Sequence, residues 1–303
     1  MRLTWPFGRA TTGGPPPQPP TPRPAATAYR PTDLSKISVV LGTLDRLHLL
    51  VPAIESVRAQ QVAAEVEIVA IDGGSTDGTL PWLTAQKDII TIVQHNRGEW
   101  QGRPLPKRSW GFFMNLAFRA ANAEIVCMIS DDCLVLPGAL QAGLDRLAAL
   151  EAKGERVGGL AFPFRNWPDD QRFFVGRTLG GRMMVNHGFL LRRAMADVGW
   201  IDAEAYRFYK ADSDLCLKMW DRGWSIHDVP DAHVEHYVDP GEALRVQNNA
   251  TMAADRDVYV QRWQELAKRE LPSRQEYDWQ DPEGTADRVF GSIRQQSLEA
   301  SAS

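Results

Sequence analysis

The chain has 303 residues, 44% of them apolar and 24% charged, with a formal net charge of −4. That is long enough to bury a substantial core, and its composition is that of a folded globular domain rather than a fibrous or disordered chain. The acidic balance excludes a general nucleic-acid binder, which needs a strongly basic face, and no apolar run reaches the roughly 18 residues that would span a bilayer.

Residues 1–33 are dense in proline, with PPPQPPTPRP at 15–24, and are expected to form a disordered, extended arm. They contain no apolar h-region of a secretory signal. The three cysteines, Cys127, Cys133 and Cys216, form no C-x-x-C pair and read as small buried residues of a reducing compartment. Cytoplasm is the expected location, with attachment at the inner face of a membrane as a variant of it.

From Ile37 onward apolar runs alternate with helical patterns. Ile37–Leu41 predicts a first strand ending in Gly42-Thr43, and Leu47, Leu50, Ile54 and Val57 share one side of the helix that follows. Val66–Ile71 predicts a second strand. It ends at Asp72 and a glycine-rich loop, GGSTDGT, with a helix from Thr79 that tolerates Pro81 in its first turn. Ile89–Val93 is a third strand and Phe112–Ala121 a helix. The apolar run Ile125–Ile129 then stops at Ser130, Asp131 and Asp132, and a helical pattern begins after Pro137-Gly138. This rhythm predicts an α/β fold with a mostly parallel, Rossmann-like sheet flanked by helices and joined by right-handed crossovers. Such sheets bind ligands at the carboxyl ends of their strands, where Thr43, Asp72, Asp131 and Asp132 gather. Adjacent carboxylates repel one another unless a cation lies close, and Mg²⁺ or Mn²⁺ suits oxygen ligands. An ordinary Asp-Asp turn capping a helix is the competing reading.

The segments VVLGTLDR, VEIVAIDGGSTDGT and MISDDCLVLPGAL, in this order and spacing, resemble the nucleotide-binding half of glycosyltransferase family 2. The resemblance implies the GT-A fold and transfer, with inversion, from a nucleotide-diphosphate sugar (UDP-, GDP- or dTDP-linked) with a divalent cation, Mn²⁺ or Mg²⁺. It places Asp72 near the base and ribose, Thr43 in the donor site, the metal on Asp132, and a ribose or outer contact on Asp131. Two positions depart from the family pattern. Gly73 stands where relatives carry Asp or Asn, and Ser130 where the acidic motif begins. Lys107 and Arg108 precede the helix holding Asn115, where the family has an Arg-Asn pair; Asn115 lacks the adjacent Arg. Either cation could meet a diphosphate, or be ordinary solvated surface.

The string NHGFLLRRAMADVGWIDAEAYRFYKADSDLCLKMWDRGW, from Asn186, is similar to the acceptor side of the same family. Relatives often write Glu-Asp-x-Asp-Leu where this chain has Ala211-Asp212-Ser213-Asp214-Leu215. The resemblance makes Asp212 the base that takes the acceptor hydroxyl's proton, although carboxylates at a helix start also suit its dipole. Ser225–Pro230 and Ala232–His236 read as short strands around a turn. His236 matches a family histidine that could ligate the metal, whereas His233, three residues earlier, should face the other way. A helix is expected over Val258–Leu266. Its Arg262-Trp263 is similar to the Gln-x-x-Arg-Trp signature of processive synthases, but Tyr259 replaces the Gln. The last dozen residues read as frayed, and the loop Phe164–Gly181, with Trp167, Phe173 and Phe174, as a sugar-stacking surface or a lid.

The expected organisation is an arm (1–33), a glycosyltransferase domain (34–240, donor half 34–140 and acceptor half 141–240) and a helical C-terminal extension (241–303). The expected activity is hexosyl or deoxyhexosyl transfer to a carbohydrate or lipid-linked acceptor in surface polysaccharide or glycoconjugate synthesis. A non-catalytic nucleotide-sugar-binding relative remains an alternative. A dinucleotide oxidoreductase would need G-x-G-x-x-G after the first strand, and Gly42-Thr43-Leu44-Asp45 does not supply it.

Overall fold

The computed structural model describes residues 30–238, 246 and 248–302. The proline-rich arm lies outside them up to residue 29. Its last residues are bound: buried Thr32 donates through its amide and Oγ1 to Glu151 at 2.9 and 2.6 Å.

In chain order the first half runs β1 (Lys36–Thr43), α1 (Leu47–Arg58), β2 (Glu65–Asp72), α2 (Thr79–Ala85), β3 (Ile89–Val93), a ribbon of β4 (Glu99–Trp100) and β5 (Arg103–Pro104), α3 (Trp110–Ala120), β6 (Ile125–Met128), β7 (Cys133–Val135) and α4 (Ala139–Ala152). The second half runs β8 (Val157–Ala161), β9 (Phe164–Trp167), β10 (Phe173–Arg177), β11 (Gly188–Leu191), α5 (Arg192–Asp197), α6 (Ala211–Asp221), β12 (Ser225–Asp228), β13 (Val234–Tyr237), α7 (Met252–Arg262), α8 (Gln264–Ala267), β14 (Ser273–Tyr277) and α9 (Thr285–Ala302).

Seven strands form the central sheet in the order β12-β8-β11-β6-β1-β2-β3. All its pairings are parallel except the two made by β11. The strands read as unbroken apolar runs because both faces of such a sheet are covered. Ile37, Val39, Val40, Leu41, Val69, Ile71 and Val126 are fully buried, with α3 packed on β1 and β2 and α4 on β8.

A second sheet, β14-β10-β9-β13-β7, was not legible as a unit. Its strand β7 has three residues directly after the acidic pair, where only a turn was expected. The two strands expected around Pro230 part company, β12 joining the large sheet and β13 the small one.

Leu49 of α1, Leu134 of β7, Trp167, Tyr237, and Ala286 and Phe290 of α9 form a separate apolar cluster. The C-terminal residues expected to fray thus belong to an 18-residue helix that packs through its first half. The aromatic loop also needs correction. Trp167, Phe173 and Phe174 are buried at 9% exposure or less, Phe173 against His233 and Trp279 and Phe174 against Phe164. They are core residues of the small sheet, which leaves no ring surface for a sugar to stack on.

Candidate active site

A cleft of about 830 Å³ opens at the carboxyl ends of β1, β2 and β6. Thr43 ends β1 opposite Asp72, which ends β2. Thr43 lines the cleft, whereas Asp72 lies behind it between two lining neighbours, Ile71 and Gly73. Fully buried, Asp72 accepts the amides of Gly74 and Ser75 on Oδ1 at 2.7 and 2.8 Å, shaping the glycine loop. Its Oδ2 and the Oγ1 of Thr43 are buried without a hydrogen-bond partner among the described residues. Lys107 and Arg108 line the same cleft beside Asn96, whose amide holds the Arg108 backbone at both N–H and C=O.

Asp131 and Asp132 are each 3% exposed. The Arg46 guanidinium is forked between them, donating to Asp131 Oδ1 at 2.6 Å and Asp132 Oδ2 at 3.0 Å. Buried carboxylates require such a counter-charge. The other oxygen, Asp132 Oδ1, faces His236 Nε2 at 3.5 Å. The tautomer of His236 follows from its neighbours. Asn166 must turn its Nδ2 to the Asp170 carboxylate, which only accepts, and so presents its Oδ1 to His236 Nδ1 at 2.8 Å. Nδ1 therefore carries a proton, and Nε2 is the ring nitrogen turned to the Asp132 side. His187, also in the lining, is buried against Cys133, Phe164 and His236. Burial, reinforced by His236, pushes its pKa down to about 3, so it is neutral.

Asp212 lines the same cleft from the first turn of α6. Asn186 Nδ2 donates to its Oδ2 at 3.2 Å, and the Ser213 amide to its Oδ1 at 2.7 Å. Burial nevertheless raises its carboxyl above the ordinary aspartate value, which is the direction that suits a general base working near neutrality. Asp214 faces away into the protein. Fully buried, it accepts from Tyr206, Arg262 and Trp263 at 3.1, 3.2 and 2.8 Å. Arg262-Trp263 therefore anchors the C-terminal extension beneath α6 instead of lining the cleft.

The cleft thus brings together Thr43, Lys107, Arg108, Asp131, Asp132, Asp212 and His236. Asn115 is a correction, because its amide is spent on the Ile201 backbone, donating at 2.8 Å and accepting at 3.1 Å, and it lies outside the lining. Sequence reasoning missed Arg46, His187, Arg207 and Lys210. Arg46 was within reach, since it lies three residues beyond a strand's carboxyl end, where α/β sheets gather ligand groups.

Residues 38–209 match the family described as glycosyl transferase family 2. An uncharacterized glycosyltransferase, alr2836, of Nostoc sp. is 33% identical over 111 residues, 35% of this chain and 31% of that protein. An uncharacterized protein, y4gI, of Sinorhizobium fredii is 23% identical over 260 residues, 75% of this chain and 27% of that one. The chain therefore spans about a third or less of the length of these curated relatives. Among solved structures, S. aureus TarS 1–349 in complex with UDP-GlcNAc aligns with a TM-score of 0.54 at 14% identity, covering 74% of this chain and 66% of that one. The mannosyltransferase PcManGT from Pyrobaculum calidifontis, solved with GDP-Man and Mn²⁺, aligns at 0.53 and 18% identity, covering 77% and 65%.

These likenesses establish the GT-A type of fold, an α/β domain with a mostly parallel central sheet. The family match spans more than half of the chain, which belongs to glycosyl transferase family 2.

Proposed function

We propose that the protein transfers a sugar, with inversion, from a nucleoside-diphosphate donor to a hydroxyl acceptor, assisted by Mn²⁺ or Mg²⁺. The observation that carries this reading is the gathering of two different groups in one cleft: Asp132 with the oriented His236, and the half-buried carboxylate of Asp212, which we take as the base. Relatives in fold bind UDP-GlcNAc and GDP-Man, so a uridine or guanosine donor is the first to test, with dTDP-sugars as the third class.

The donor set fits a hard divalent ion. No group of three or more His, Cys, Asp and Glu side chains that could hold a metal occurs among the described residues. However, such ions are commonly held by one or two protein ligands together with substrate phosphates and water. Asp132 Oδ1 and His236 Nε2 supply one anionic and one imidazole ligand, and Nδ1 of His236 is already fixed by Asn166, the arrangement that orients metal-binding histidines. When bound, the cation would neutralise charge on the departing diphosphate.

The remaining roles belong to the chain. Lys107 and Arg108 offer cations to the diphosphate. Thr43 Oγ1, in the cleft lining, would gain the partner it lacks from a ribose hydroxyl, while Asp72 serves from behind the cleft by holding the Gly74 and Ser75 amides. Asp212 takes the acceptor proton as the hydroxyl attacks the anomeric carbon, while Asn186 and the Ser213 amide keep the carboxylate aligned.

Calorimetric titration of UDP, GDP and dTDP, with and without Mn²⁺, tests the donor half. One nucleotide should bind at least about tenfold tighter with the metal, the scale of one charged contact, and Asp132→Asn should erase the difference. Equal metal dependence in the variant would remove Asp132 from the site, and failure of all three nucleotides would remove the donor assignment.

A further inference from the structure

The charge lining the cleft exceeds what the donor reaction uses. Five cationic side chains and three carboxylates line it, in a chain whose overall charge is −4. Arg46 is committed to Asp131 and Asp132. A divalent ion and a doubly charged diphosphate cancel one another, so the two-charge surplus persists with donor and metal in place. Lys107 and Arg108 come from the segment before α3. The other two cations, Arg207 and Lys210, come from the segment that leads into Asp212, and neither pairs with a carboxylate among the described residues.

The segment is built to hold them there. Asp255 of α7, 2% exposed, accepts the three successive amides of Arg207, Phe208 and Tyr209 at 2.8, 2.9 and 2.8 Å. The Arg207 carbonyl is tied in turn to the Trp110 amide at 2.9 Å. The next residue, Lys210, takes the left-handed conformation at φ 67°, where glycine would be at ease and an L side chain is strained. Backbone strain of this kind clusters at binding and catalytic positions. Lys210 stands close enough for its charge to lower the Asp212 carboxyl against the effect of burial. Asp255 comes from the C-terminal extension, beyond the residues that match the family.

From this we infer that Arg207 and Lys210 form an oxyanion subsite for the acceptor, so that the hydroxyl delivered to Asp212 belongs to a molecule carrying a phosphate or carboxylate group. The inference rests on the donor reading above and adds the acceptor's chemical class.

The test is calorimetric titration of glycerol 3-phosphate, methyl glucuronide and uncharged methyl glucoside into the full chain, with and without saturating UDP and Mn²⁺. At least one charged probe should bind alongside UDP, more weakly as salt is raised, while methyl glucoside does not; the phosphate and glucuronide arms tell the two oxyanions apart. Lys210→Gly, which relieves the backbone strain, and Arg207→Ser, at an exposed position, should each weaken that binding by about tenfold, the scale of one charged hydrogen bond. The subsite is overturned if methyl glucoside binds as well as the charged probes, if both variants bind them like the wild type, or if UDP excludes them, which would locate them in the diphosphate site. A protein that binds no nucleotide contradicts the donor reading instead, and the titrations without UDP still decide the subsite by the response of the two variants.

Discussion

Arg46 holds Asp132 by Oδ2 at 3.0 Å and so turns the other carboxylate oxygen toward His236. The guanidinium thus compensates two buried charges and aims one of them. Replacing it leaves Asp131 and Asp132 buried with less counter-charge, a defect that typically costs about 3–5 kcal/mol. Arg46→Met should therefore lower the melting temperature markedly in metal-free buffer. Mn²⁺ should restore part of the loss, because a ligand that binds only the native state stabilises it by mass action. Thermal unfolding with and without Mn²⁺ checks this, and an identical metal-induced shift in wild type and variant would refute it.

Asp212 has two separable consequences. Its carboxyl is raised by burial, so the ionised form disfavours folding: the stability it contributes is present below the unfolded value and disappears as pH rises through the folded one. Asp212→Asn should consequently be more stable than wild type at pH 7–8, with the difference closing as pH falls. Transfer should fall by about 10²–10⁴, the usual contribution of a positioned base, while nucleotide affinity stays within about twofold, a change too small to represent a lost contact. In the wild type, transfer should decline on the acid side at a pH above that of an ordinary aspartate. A variant with near-normal turnover would assign the proton to another group.

The parts of this molecule legible in its sequence were those governed by local pattern. The four parallel strands β1, β2, β3 and β6 are continuous apolar runs, and the polar residues that end them fall at one edge by topology alone. The small sheet escaped notice because its members are short and distant in the chain: β7 is three residues long, and β14 pairs with β10 about a hundred residues away. Arg46 carries no periodic or compositional signal; its place just beyond β1 was the one hint, and its partner Asp131 lies 85 residues later in the chain. Trp167, Phe173 and Phe174 looked available because a loop was expected around them, whereas their ladder partners bury them. The apolar residues of α9, Val289, Phe290 and Ile293, are too few to outweigh its polar ones until Trp167 and Tyr237 give them a surface.

The link from Asp170 through Asn166 to His236 makes a prediction specific to the metal. Asn166→Leu removes the acceptor that keeps the proton on Nδ1 of His236, so the ring loses both its tautomeric preference and its orientation. Loss of such an outer partner typically weakens metal binding by about 10–100-fold. Mn²⁺ affinity, read from the electron paramagnetic resonance signal of the free ion, should fall by that factor, while nucleotide binding without metal stays unchanged. Equal Mn²⁺ affinity in the variant would mean that His236 is not a ligand.

Beside His236 on β13, Glu235 is fully buried and lies in register with Arg165 of β9, which grips it with two hydrogen bonds, Nε at 3.0 Å and Nη2 at 2.5 Å. Burial pushes the Glu235 pKa up to about 7 even though Arg165 draws it down. The sign of its effect on stability follows. The contribution of the raised carboxyl is complete below the ordinary value of 4.5 and is lost as pH rises through about 7. Glu235→Gln should flatten that part of the stability curve. Arg165→Leu should be severe above pH 7, by about 3–5 kcal/mol, because it strands a buried carboxylate. Near pH 5 the same variant should be much less damaged, since Glu235 can take up a proton instead. Urea unfolding at pH 5, 6.5 and 8 measures the trend. A pH-independent loss would show that Arg165 acts through its packing on Phe173 and not through its charge.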